Sequence, residues 1–413
     1  MGSGAKKLVG LAALFVALFQ ASAQDYPHEK TNYPFINYDK NKLEFYGDSS
    51  GFGKLFEKFD RTIFEGEGQI DIIHMGGSHI QAGIFSATMR KKIQTIQPGL
   101  NSYRGFLFPY QMARTNNPSN YHVRYSGSWS GCRNVEKKKT CDLGLSGISV
   151  TTRSTSSSLK IYFDQEHLSY NFTTLKVFHE TDSASFSIQP EDTAYIMEVN
   201  EELGYTAFHF SNPQDTMSLR FEKTSEEQNY FSLYGLEFEN EDPGFAYHAI
   251  GVNGADVPAY LRCNLLENHA TAVKPDIAIF SIGINDAYTT RFNPEFFKSN
   301  YRELIRRIKN ASPNVKIIFT TNNDSYYRRR YVNKNGEKVR AAMIELAREH
   351  NAAVWDLYTI MGGSNSIVEW VGFGLAKQDK VHFTKAGYEL VGDLFFSALI
   401  KSYEYHLDKT NHY

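Results

Sequence analysis

The chain has 413 residues, a length with room for two domains, and 41% of them are hydrophobic, which is enough for buried cores. Its 44 Lys and Arg residues against 46 Asp and Glu residues give a formal net charge of -2. This balance lacks the strong positive charge that binding to nucleic acid or to an anionic membrane surface requires, so we expect neither as a partner.

The first 23 residues have the pattern of a secretory signal peptide. Lys6 and Lys7 precede an apolar run over residues 8–19, and small residues at 21–23 form a cleavage site. The run is short for a membrane span, and no cysteine follows the cleavage site to carry a lipid. We therefore expect a periplasmic or secreted protein without stable membrane insertion after cleavage. An uncleaved membrane anchor is the alternative.

The first regular unit of the mature chain is a strand, a tight turn and a helix. A mostly apolar run at residues 70–75 ends at glycines 76–77, and a helical pattern follows over residues 84–93. Ser78 lies on this turn, where it is either a nucleophile or the N-cap of the following helix. His74 lies on the strand, and we interpret it as a core histidine whose hydrogen bonds are satisfied.

Three cysteines follow in the chain. Cys132 and Cys141 are nine positions apart, and a disulfide between them would close a short basic loop in an oxidising compartment. Their geometry does not follow from the sequence, so the pairing stays open. Cys263 is expected to be a buried thiol. No spacing of ligand residues indicates a metal site, and no cofactor is expected.

From residue 145 to residue 240 the pattern changes to short alternating strands. The segment is rich in Ser, Thr, Tyr and Phe, with alternating runs such as 159–163 and 174–178 between polar turns. Strands at this spacing are typical of a β-sandwich or jelly roll. We predict an all-β module at residues 145–240, inserted into an α/β domain formed by residues 24–144 and 241–413.

The second half of the chain returns to alternating strands and helices. Strands are predicted at residues 275–280, 315–320 and 353–357, with a glycine turn at Gly283 after the first of them. The apolar faces of the three helices in this half are expected to contain Phe297, Tyr301, Leu304, Ile305 and Ile308; Val339, Met343, Leu346 and Ala347; and Leu390, Val391, Leu394 and Phe395. This alternation predicts an α/β fold with a doubly wound, mainly parallel sheet and helices on both faces.

Polar residues at three distant places could form one catalytic site. Ser78 would be a nucleophile, Asn285 in the sequence Gly-Ile-Asn-Asp an oxyanion donor, and Asp379 with His382 a base and its orienting partner. A serine esterase needs this set of residue types. Each has a simpler interpretation: Asn285 and Asp286 as turn or capping residues, and the Asp-x-x-His pair as a surface turn before the last helix.

These segments resemble the SGNH/GDSL hydrolases, whose four sequence blocks supply Ser, Gly, Asn and His in that order. Ser78, Gly254 and Asn285 match the first three blocks, and Asp379 with His382 matches the fourth. The resemblance covers most of the chain outside the signal and the insert, and it implies the flavodoxin-like fold of that family. The inserted module is similar to the architecture of bacterial peptidoglycan O-acetylesterases of this superfamily, in which a carbohydrate-binding-like sandwich interrupts the catalytic domain.

The resemblance implies an oxyanion hole formed by the backbone N–H groups of Ser78 and Gly254 and the side-chain amide of Asn285. Gly251 lies three residues before Gly254 and is the alternative donor. One departure from the family pattern is Gly77, where the family has an Asp that is not a member of the triad.

Five polar residues are candidates for lining the substrate groove: His79, Asn116, Asn117, Asn322 and Asn323. His79 is also the candidate to brace the nucleophile turn in place of the family Asp. For Asn116 and Asn117, a loop that satisfies its own backbone is an equally favoured interpretation. Asn322 and Asn323 follow a strand end, where open α/β sheets build sites.

The function that we expect is an exported carbohydrate esterase that removes O-acetyl groups from a glycan through an acyl-enzyme intermediate. The glycan is peptidoglycan or another polysaccharide, and the inserted module would contribute to polymer binding. A glycan O-acetyltransferase is the nearest alternative. A non-catalytic glycan-binding protein with a degenerate hydrolase domain is another, and a lipase or thioesterase is a third.

Overall fold

The computed structural model of the chain describes residues 32–100, 102–163, 170–191 and 194–410, and the expected signal peptide lies outside them. Met1–Tyr33 is a separate unit from Pro34–Tyr413, and every described helix and strand belongs to the latter. No helix within the described ranges is both long and apolar enough to cross a membrane.

The strands of the described residues belong to an α/β sheet, to a β-module or to a separate two-stranded sheet. In chain order the strands are β1 (Leu43–Phe45), β2 (Gln69–Gly76), β3 (Gly105–Leu107), β4 (Tyr121–Ser126), β5 (Trp129–Arg133), β6 (Ile148–Thr152), β7 (Ser156–Phe163), β8 (Phe172–His179), β9 (Ser187–Pro190), β10 (Tyr195–Asn200), β11 (Tyr205–Gln214), β12 (Thr216–Glu222), β13 (Phe231–Glu239), β14 (Gly244–Gly251), β15 (Ile277–Ser281), β16 (Lys316–Thr320), β17 (Tyr326–Tyr327), β18 (Tyr331–Val332) and β19 (Ala353–Trp355).

The α-helices lie before and after the β-module rather than within it. They are α1 (Ser50–Asp60), α2 (Ser78–Gln81), α3 (Ile84–Gln94), α4 (Val257–Leu261), α5 (Leu266–Val273), α6 (Ile284–Ala287), α7 (Pro294–Ala311), α8 (Asn335–His350), α9 (Leu357–Ile360), α10 (Ile367–Gly372) and α11 (Lys385–Thr410). Two short 3-10 helices, Tyr38–Lys40 and Tyr110–Ala113, and one π-helical turn, Arg61–Glu65, complete the set for the described ranges.

The α/β sheet has six strands in the order β1-β19-β16-β15-β2-β14. All neighbours are parallel except β1, which runs antiparallel to β19 at one edge. Numbered along the chain, the five parallel strands follow the order 2-1-3-4-5. In an open sheet of this order the connections diverge between the first and third strands, here β2 and β15, and a crevice forms at their carboxyl ends. This crevice is where a ligand is expected.

Helices pack on both sides of this sheet because successive strand residues point to opposite faces. On one side, Trp355 contacts Phe85 of α3 and Phe395 of α11. On the other side, Phe280 and Phe319 contact Tyr301 of α7. The residues expected on the apolar faces of α7, α8 and α11 are buried, except for Leu390 of α11, which is half-buried. The expected α/β class is confirmed.

His74 on β2 is the buried, satisfied histidine that we expected. Its Nδ1 lies 2.6 Å from the hydroxyl of Tyr247, and its Nε2 lies 2.6 Å from the hydroxyl of Ser281. Burial lowers the pKa of His74 to about 3, so the ring is neutral near pH 7.

The β-module consists of two antiparallel sheets packed face to face. One sheet has the order β10-β11-β8-β13-β6-β5, with β3 also paired to β13, and the other has the order β4-β7-β12-β9. Aromatic side chains join the sheets: Phe163 of β7 contacts Phe238 of β13, and Phe221 of β12 contacts Phe231 of β13. Alternating burial along β7 and β12 gives each strand one inner face, as in a β-sandwich.

The start of the β-module that we expected, residue 145, is too late in the chain. β4 and β5 end at Ser126 and Arg133, and both already pair within the two sheets of the module. Both lie at sheet edges. β4 alternates Tyr121, Val123 and Tyr125 with polar residues, but it precedes the Ser- and Thr-rich segment on which the boundary was drawn, and β5 (Trp-Ser-Gly-Cys-Arg) has no regular alternation.

A disulfide joins Cys132 of β5 to Cys141 and closes a ten-residue loop. Cys263 is buried and free, and burial raises the pKa of its thiol to about 12. The pairing that the sequence left open is therefore present, and it fixes a loop that Arg262 also holds through hydrogen bonds to the backbone oxygens of Asn134 and Lys139.

Replacing both cysteines of this bridge with serine should lower the free energy of unfolding by about 2–3 kcal/mol, because the disulfide limits the conformational freedom of the unfolded loop. Urea denaturation monitored by tryptophan fluorescence measures the difference. A non-thiol reductant should lower the stability of the wild-type protein by a similar amount and leave the double serine variant unchanged. Equal stability of the two proteins under oxidising conditions would contradict the prediction.

Candidate active site

Two glycine turns lie side by side at the carboxyl ends of β2 and β15. Gly76, the last residue of β2, pairs with Ser281, the last residue of β15. Ser78 begins α2 directly after the first turn. A Cβ atom on Gly76 would lie 2.3 Å from Cγ1 of Ile80, so only glycine lets α2 fold back this tightly onto the strand. The crevice between the two strands is thus lined by the turn that carries Ser78.

The structure brings the three residues of the expected triad together in one row. The hydroxyl of Ser78 lies 2.9 Å from Nε2 of His382, and Nδ1 of His382 lies 2.9 Å from Oδ2 of Asp379. An ionised carboxylate only accepts hydrogen bonds, so Nδ1–H donates to Asp379 and Nε2 is left to accept from Ser78. Ser78 is half-buried at the end of this row.

Asp379 is held in its charged form by the turn in which it lies. Its Oδ1 accepts hydrogen bonds of 2.9 Å from the backbone N–H groups of both Val381 and His382. Burial opposes the charge, but these bonds and the one from the His382 ring outweigh it and lower the pKa of Asp379 below its usual range. The Asp-x-x-His spacing is therefore sufficient for one turn to fix both the carboxylate and the imidazole.

Asn285 and Gly254 lie on the opposite side of the nucleophile turn. Nδ2 of Asn285 donates a 2.9 Å hydrogen bond to the carbonyl of Ala255. Gly254 has φ 84° and is exposed, whereas Gly251 is buried. A Cβ atom on Gly251 would lie 2.3 Å from the backbone nitrogen of Gln81. Gly251 thus allows the chain to pack closely against the backbone of Gln81. Gly254 is the glycine of this loop that can face a ligand.

The absence of a side chain at residue 77 is explained by the position of Asn285. A Cβ atom on Gly77 would lie 3.0 Å from Nδ2 of Asn285 and 3.5 Å from the carbonyl oxygen of Ala255. The first distance is shorter than an ordinary van der Waals contact, so the Asn285 amide packs directly on the glycine backbone.

His79 packs against His382 and lines a small cavity. Its Nδ1 lies 2.9 Å from the hydroxyl of Tyr388, and its ring centroid is 5.4 Å from that of His382. Its Nε2 is buried and has no hydrogen-bond partner among the described residues. Burial, together with the neighbouring His382 ring, lowers the pKa of His79 to about 3. His79 is therefore a neutral ring that supports the position of His382.

Gln81 is a residue of the site that our sequence analysis missed. It is 1% exposed, its Oε1 accepts a 2.6 Å bond from the backbone N–H of Asn253, and its Nε2 donates to the carbonyl of Asn116 at 2.9 Å. Asn253 Nδ2 in turn donates to Asn116 Oδ1 at 2.5 Å. Gln81 therefore ties the Gly254 loop to the Asn116 segment. Gln81 lies three residues after Ser78 on the same helix, and this spacing could have predicted that its side chain lies beside the serine.

The other polar candidates serve structural roles. Nδ2 of Asn117 donates to the backbone oxygens of Pro118 and Tyr121, as in the loop interpretation. Asn322 and Asn323 are buried, and with His79 they line a cavity of about 30 Å³ to which Leu357 of α9 and Val391 of α11 also contribute. Asn323 donates to the carbonyl of Val381 at 3.0 Å and holds the triad turn. Binding of substrate by either amide stays a prediction.

Asp286, the residue after Asn285, is half-buried and braces the Gly254 loop. Its Oδ1 and Oδ2 lie 3.2 and 3.3 Å from the backbone nitrogen of Val257, whose N–H they can accept. Burial, followed by the negative charge of Asp256, raises the pKa of Asp286 to about 7. Its carboxyl group therefore titrates close to neutral pH.

Replacing Asp286 with asparagine should make stability less dependent on pH. Between the usual carboxyl pKa and about 7 the folded protein holds a proton that the unfolded chain releases, so this carboxyl lowers stability as pH rises through that window. Asparagine removes this loss, which amounts to at most about 4 kcal/mol between pH 4 and pH 8. Urea denaturation at several pH values measures the difference, with exposed Asp39→Asn as the control. Parallel pH profiles for wild type and Asp286→Asn would contradict the prediction.

Comparison with known proteins agrees with this architecture. Residues 227–390 match the GDSL-like Lipase/Acylhydrolase family, a range that includes Asn285, Asp379 and His382 and begins after Ser78. The structure of a peptidoglycan O-acetylesterase is similar, with a TM-score of 0.70 and 20% sequence identity over 88% of this chain and 99% of that chain. At this identity the likeness shows the fold. No curated protein matches the chain in sequence.

Two further solved structures match only part of the chain. An acetyl xylan esterase is 20% identical over 38% of this chain and 81% of that chain, with a TM-score of 0.30. A GDSL-like lipase from Bacteroides thetaiotaomicron is also 20% identical, over 38% of this chain and 76% of that chain, with a TM-score of 0.30.

Proposed function

We propose that this chain, whose GDSL-like acylhydrolase domain is matched at residues 227–390, is an exported esterase that removes O-acetyl groups from a glycan. The observation that carries the proposal is the hydrogen-bonded row Ser78, His382 and Asp379 at the crevice of the α/β sheet. A serine hydroxyl is a weak nucleophile until a positioned base accepts its proton, and this row supplies that base with its proton on the correct nitrogen.

The reaction follows from the geometry in two steps. Ser78 Oγ attacks the acetyl carbonyl carbon while Nε2 of His382 takes the hydroxyl proton, and the charge on the imidazolium is stabilised by Asp379. The C–O bond to the sugar then breaks, and the sugar oxygen leaves with the proton from His382. In the second step a water molecule gives a proton to His382 and attacks the carbonyl carbon of the acetyl-serine. The bond from that carbon to Ser78 Oγ then breaks, His382 returns its proton to Oγ, and acetic acid leaves and ionises to acetate.

The negative charge of each tetrahedral intermediate would be stabilised by three donors. The N–H of Ser78 is at the first position of α2, where a helix offers no acceptor of its own. One N–H of the Asn285 amide donates to Ala255, which leaves the second for the substrate. The N–H of exposed Gly254 is the third donor. Each such donor lowers the barrier by about 3 kcal/mol.

The architecture supports an acetylated glycan as the substrate. The fold of this chain, an α/β domain interrupted by a β-sandwich, is similar to that of a peptidoglycan O-acetylesterase. Export is supported by the signal-like first 23 residues and by the Cys132–Cys141 disulfide, which suits an oxidising compartment.

The test is acetate release from O-acetylated peptidoglycan, measured beside hydrolysis of p-nitrophenyl acetate and p-nitrophenyl butyrate. We expect free acetate from the polymer and a higher kcat/KM for the acetyl ester than for the butyryl ester. Preference for the longer ester would favour a lipase. Acetyl gain on an added acceptor sugar in excess of free acetate would favour an O-acetyltransferase. Binding to the polymer without hydrolysis of any ester would contradict the proposal.

A further inference from the structure

A large cavity opens on the β-module, separate from the crevice of the triad. Its volume is about 680 Å³, and it is lined by β5, the end of β6, the residues after the 3-10 helix Tyr110–Ala113, and the loop closed by the disulfide. Four cationic side chains reach it: Arg114, Arg133, Lys139 and Arg153. We call this cavity the basic cleft.

The positive charge of the basic cleft is not neutralised within the protein. The one carboxylate in its lining, Glu136, lies 3.2 Å from Lys139 and 3.7 Å from Arg133. Arg114 and Arg153 are both exposed, and neither forms an ion pair within the described residues. The whole chain has a formal net charge of -2, so this positive surface is a local feature. Uncompensated guanidinium groups in a concave surface favour an anionic ligand.

Arg153 is held in the cleft without losing its charge. Its guanidinium carbon lies 5.8 Å from the centroid of the Tyr230 ring, and Nη1 lies 3.5 Å from the backbone oxygen of Asn229. Both contacts orient the planar group, and both leave most of its N–H donors free. A guanidinium of this kind can bind a carboxylate through two parallel hydrogen bonds.

Two segments connect the basic cleft to the loops around Ser78. Arg114 begins the segment that reaches Asn116, and Asn116 is bonded to Gln81 and Asn253 beside the nucleophile turn. Within the disulfide loop, Val135 Cγ1 lies 4.0 Å from the position that a Cβ atom on Gly254 would occupy. Two short segments of chain therefore join the cleft to the loops around Ser78.

We propose that the basic cleft binds carboxylate groups of the glycan whose acetyl ester is presented to Ser78. This inference rests on the proposed function and adds the chemical class of the substrate, a polysaccharide that carries carboxylates. Arg114 and Arg153 bind the anionic groups. Hydroxyl groups of Ser128, Ser130 and Ser154 in the same lining offer donors and acceptors for sugar hydroxyls.

The experiment measures binding of the full chain to peptidoglycan that mild base has stripped of acetyl esters. A second sample of the same polymer has its carboxylates converted to methylamides by a carbodiimide. The variant Arg114→Gln/Arg153→Gln is compared with Arg124→Gln, an exposed arginine of β4 outside the cleft whose guanidinium lies 5.4 Å from the Tyr162 ring. Thermal unfolding checks that each variant is folded, and all binding is measured at 150 mM NaCl.

We expect amidation of the polymer to weaken wild-type binding at least about tenfold, the double variant to lose a similar factor on the untreated polymer, and Arg124→Gln to bind like wild type. Unchanged binding after amidation, or equal losses in the Arg124 control and the cleft variant, overturns the inference. Because the stripped polymer has no ester, binding does not depend on turnover. Hydrolysis of p-nitrophenyl acetate by wild type is measured in parallel, and its absence beside carboxylate-dependent binding would overturn the proposed function alone.

Discussion

Replacing Ser78 with alanine should reduce hydrolysis of p-nitrophenyl acetate by at least about 10⁴-fold in kcat, because the acyl-enzyme can no longer form. Labelling of the protein by a fluorophosphonate should disappear in the same variant. The Ser78 hydroxyl bonds to His382 and is half-buried, so its loss leaves packing nearly unchanged, and we expect a similar melting temperature.

The control for this substitution is Ser119→Ala, which removes an exposed hydroxyl from a loop. It should keep both activity and labelling. Labelling that persists in Ser78→Ala would show that a different residue is the nucleophile. Activity that persists without labelling would show that the ester is hydrolysed without an acyl-serine.

Replacing Asp379 with asparagine should lower kcat by about 10³–10⁴-fold at neutral pH with little change in KM. The asparagine oxygen can still accept from the backbone N–H groups of Val381 and His382, so the turn is kept. Its amide nitrogen would donate to Nδ1 of His382, which moves the ring proton to Nε2. Nε2 then cannot accept the proton of Ser78, because His382 is in the wrong tautomer.

Steady-state kinetics with p-nitrophenyl acetate, together with the rate of fluorophosphonate labelling, measure this effect. Asp408→Asn, an exposed change on α11, is the matched control and should behave like wild type. A kcat within about tenfold of wild type for Asp379→Asn would mean that the carboxylate holds the turn without orienting the catalytic histidine. A melting temperature close to that of wild type would exclude misfolding as the cause of lost activity.

The parts of the site that the sequence predicted are those that local geometry determines. Gly76 at a strand end and the Asp-x-x-His spacing of Asp379 and His382 each specify a turn within a few residues. Sheet order then brings the turns of β2 and β15 together, because both strands run parallel and end at one edge. Alternating strands and helices predicted a parallel sheet but not its strand order, and the three residues of the row were named from their residue types and from the resemblance to the SGNH/GDSL blocks.

The features that the sequence did not predict depend on packing between distant segments. Asn322 follows a strand end as predicted, but it is buried, and residues of α9 and α11 line the same small cavity. Gln81 looked like an ordinary helix residue, yet its partners Asn253 and Asn116 lie far away in sequence. The boundary at residue 145 failed because β4 and β5 belong to the module through pairing with β7 and β6, which lie later in the chain, and composition along the chain does not report that pairing.

The insertion of the β-module between β2 and β14 has a consequence for how quickly the protein folds. Gln69 of β2 pairs with Gly244 of β14, so the sheet below the nucleophile closes only after the ends of a very long loop have met. Within the module, Leu107 of β3 pairs with Leu236 of β13, and β13 is the strand that directly precedes β14. A module that folds first would hold these ends together and shorten the loop that remains to be closed. Substitutions in the sandwich core should therefore slow the appearance of activity during refolding, even when they lie far from Ser78.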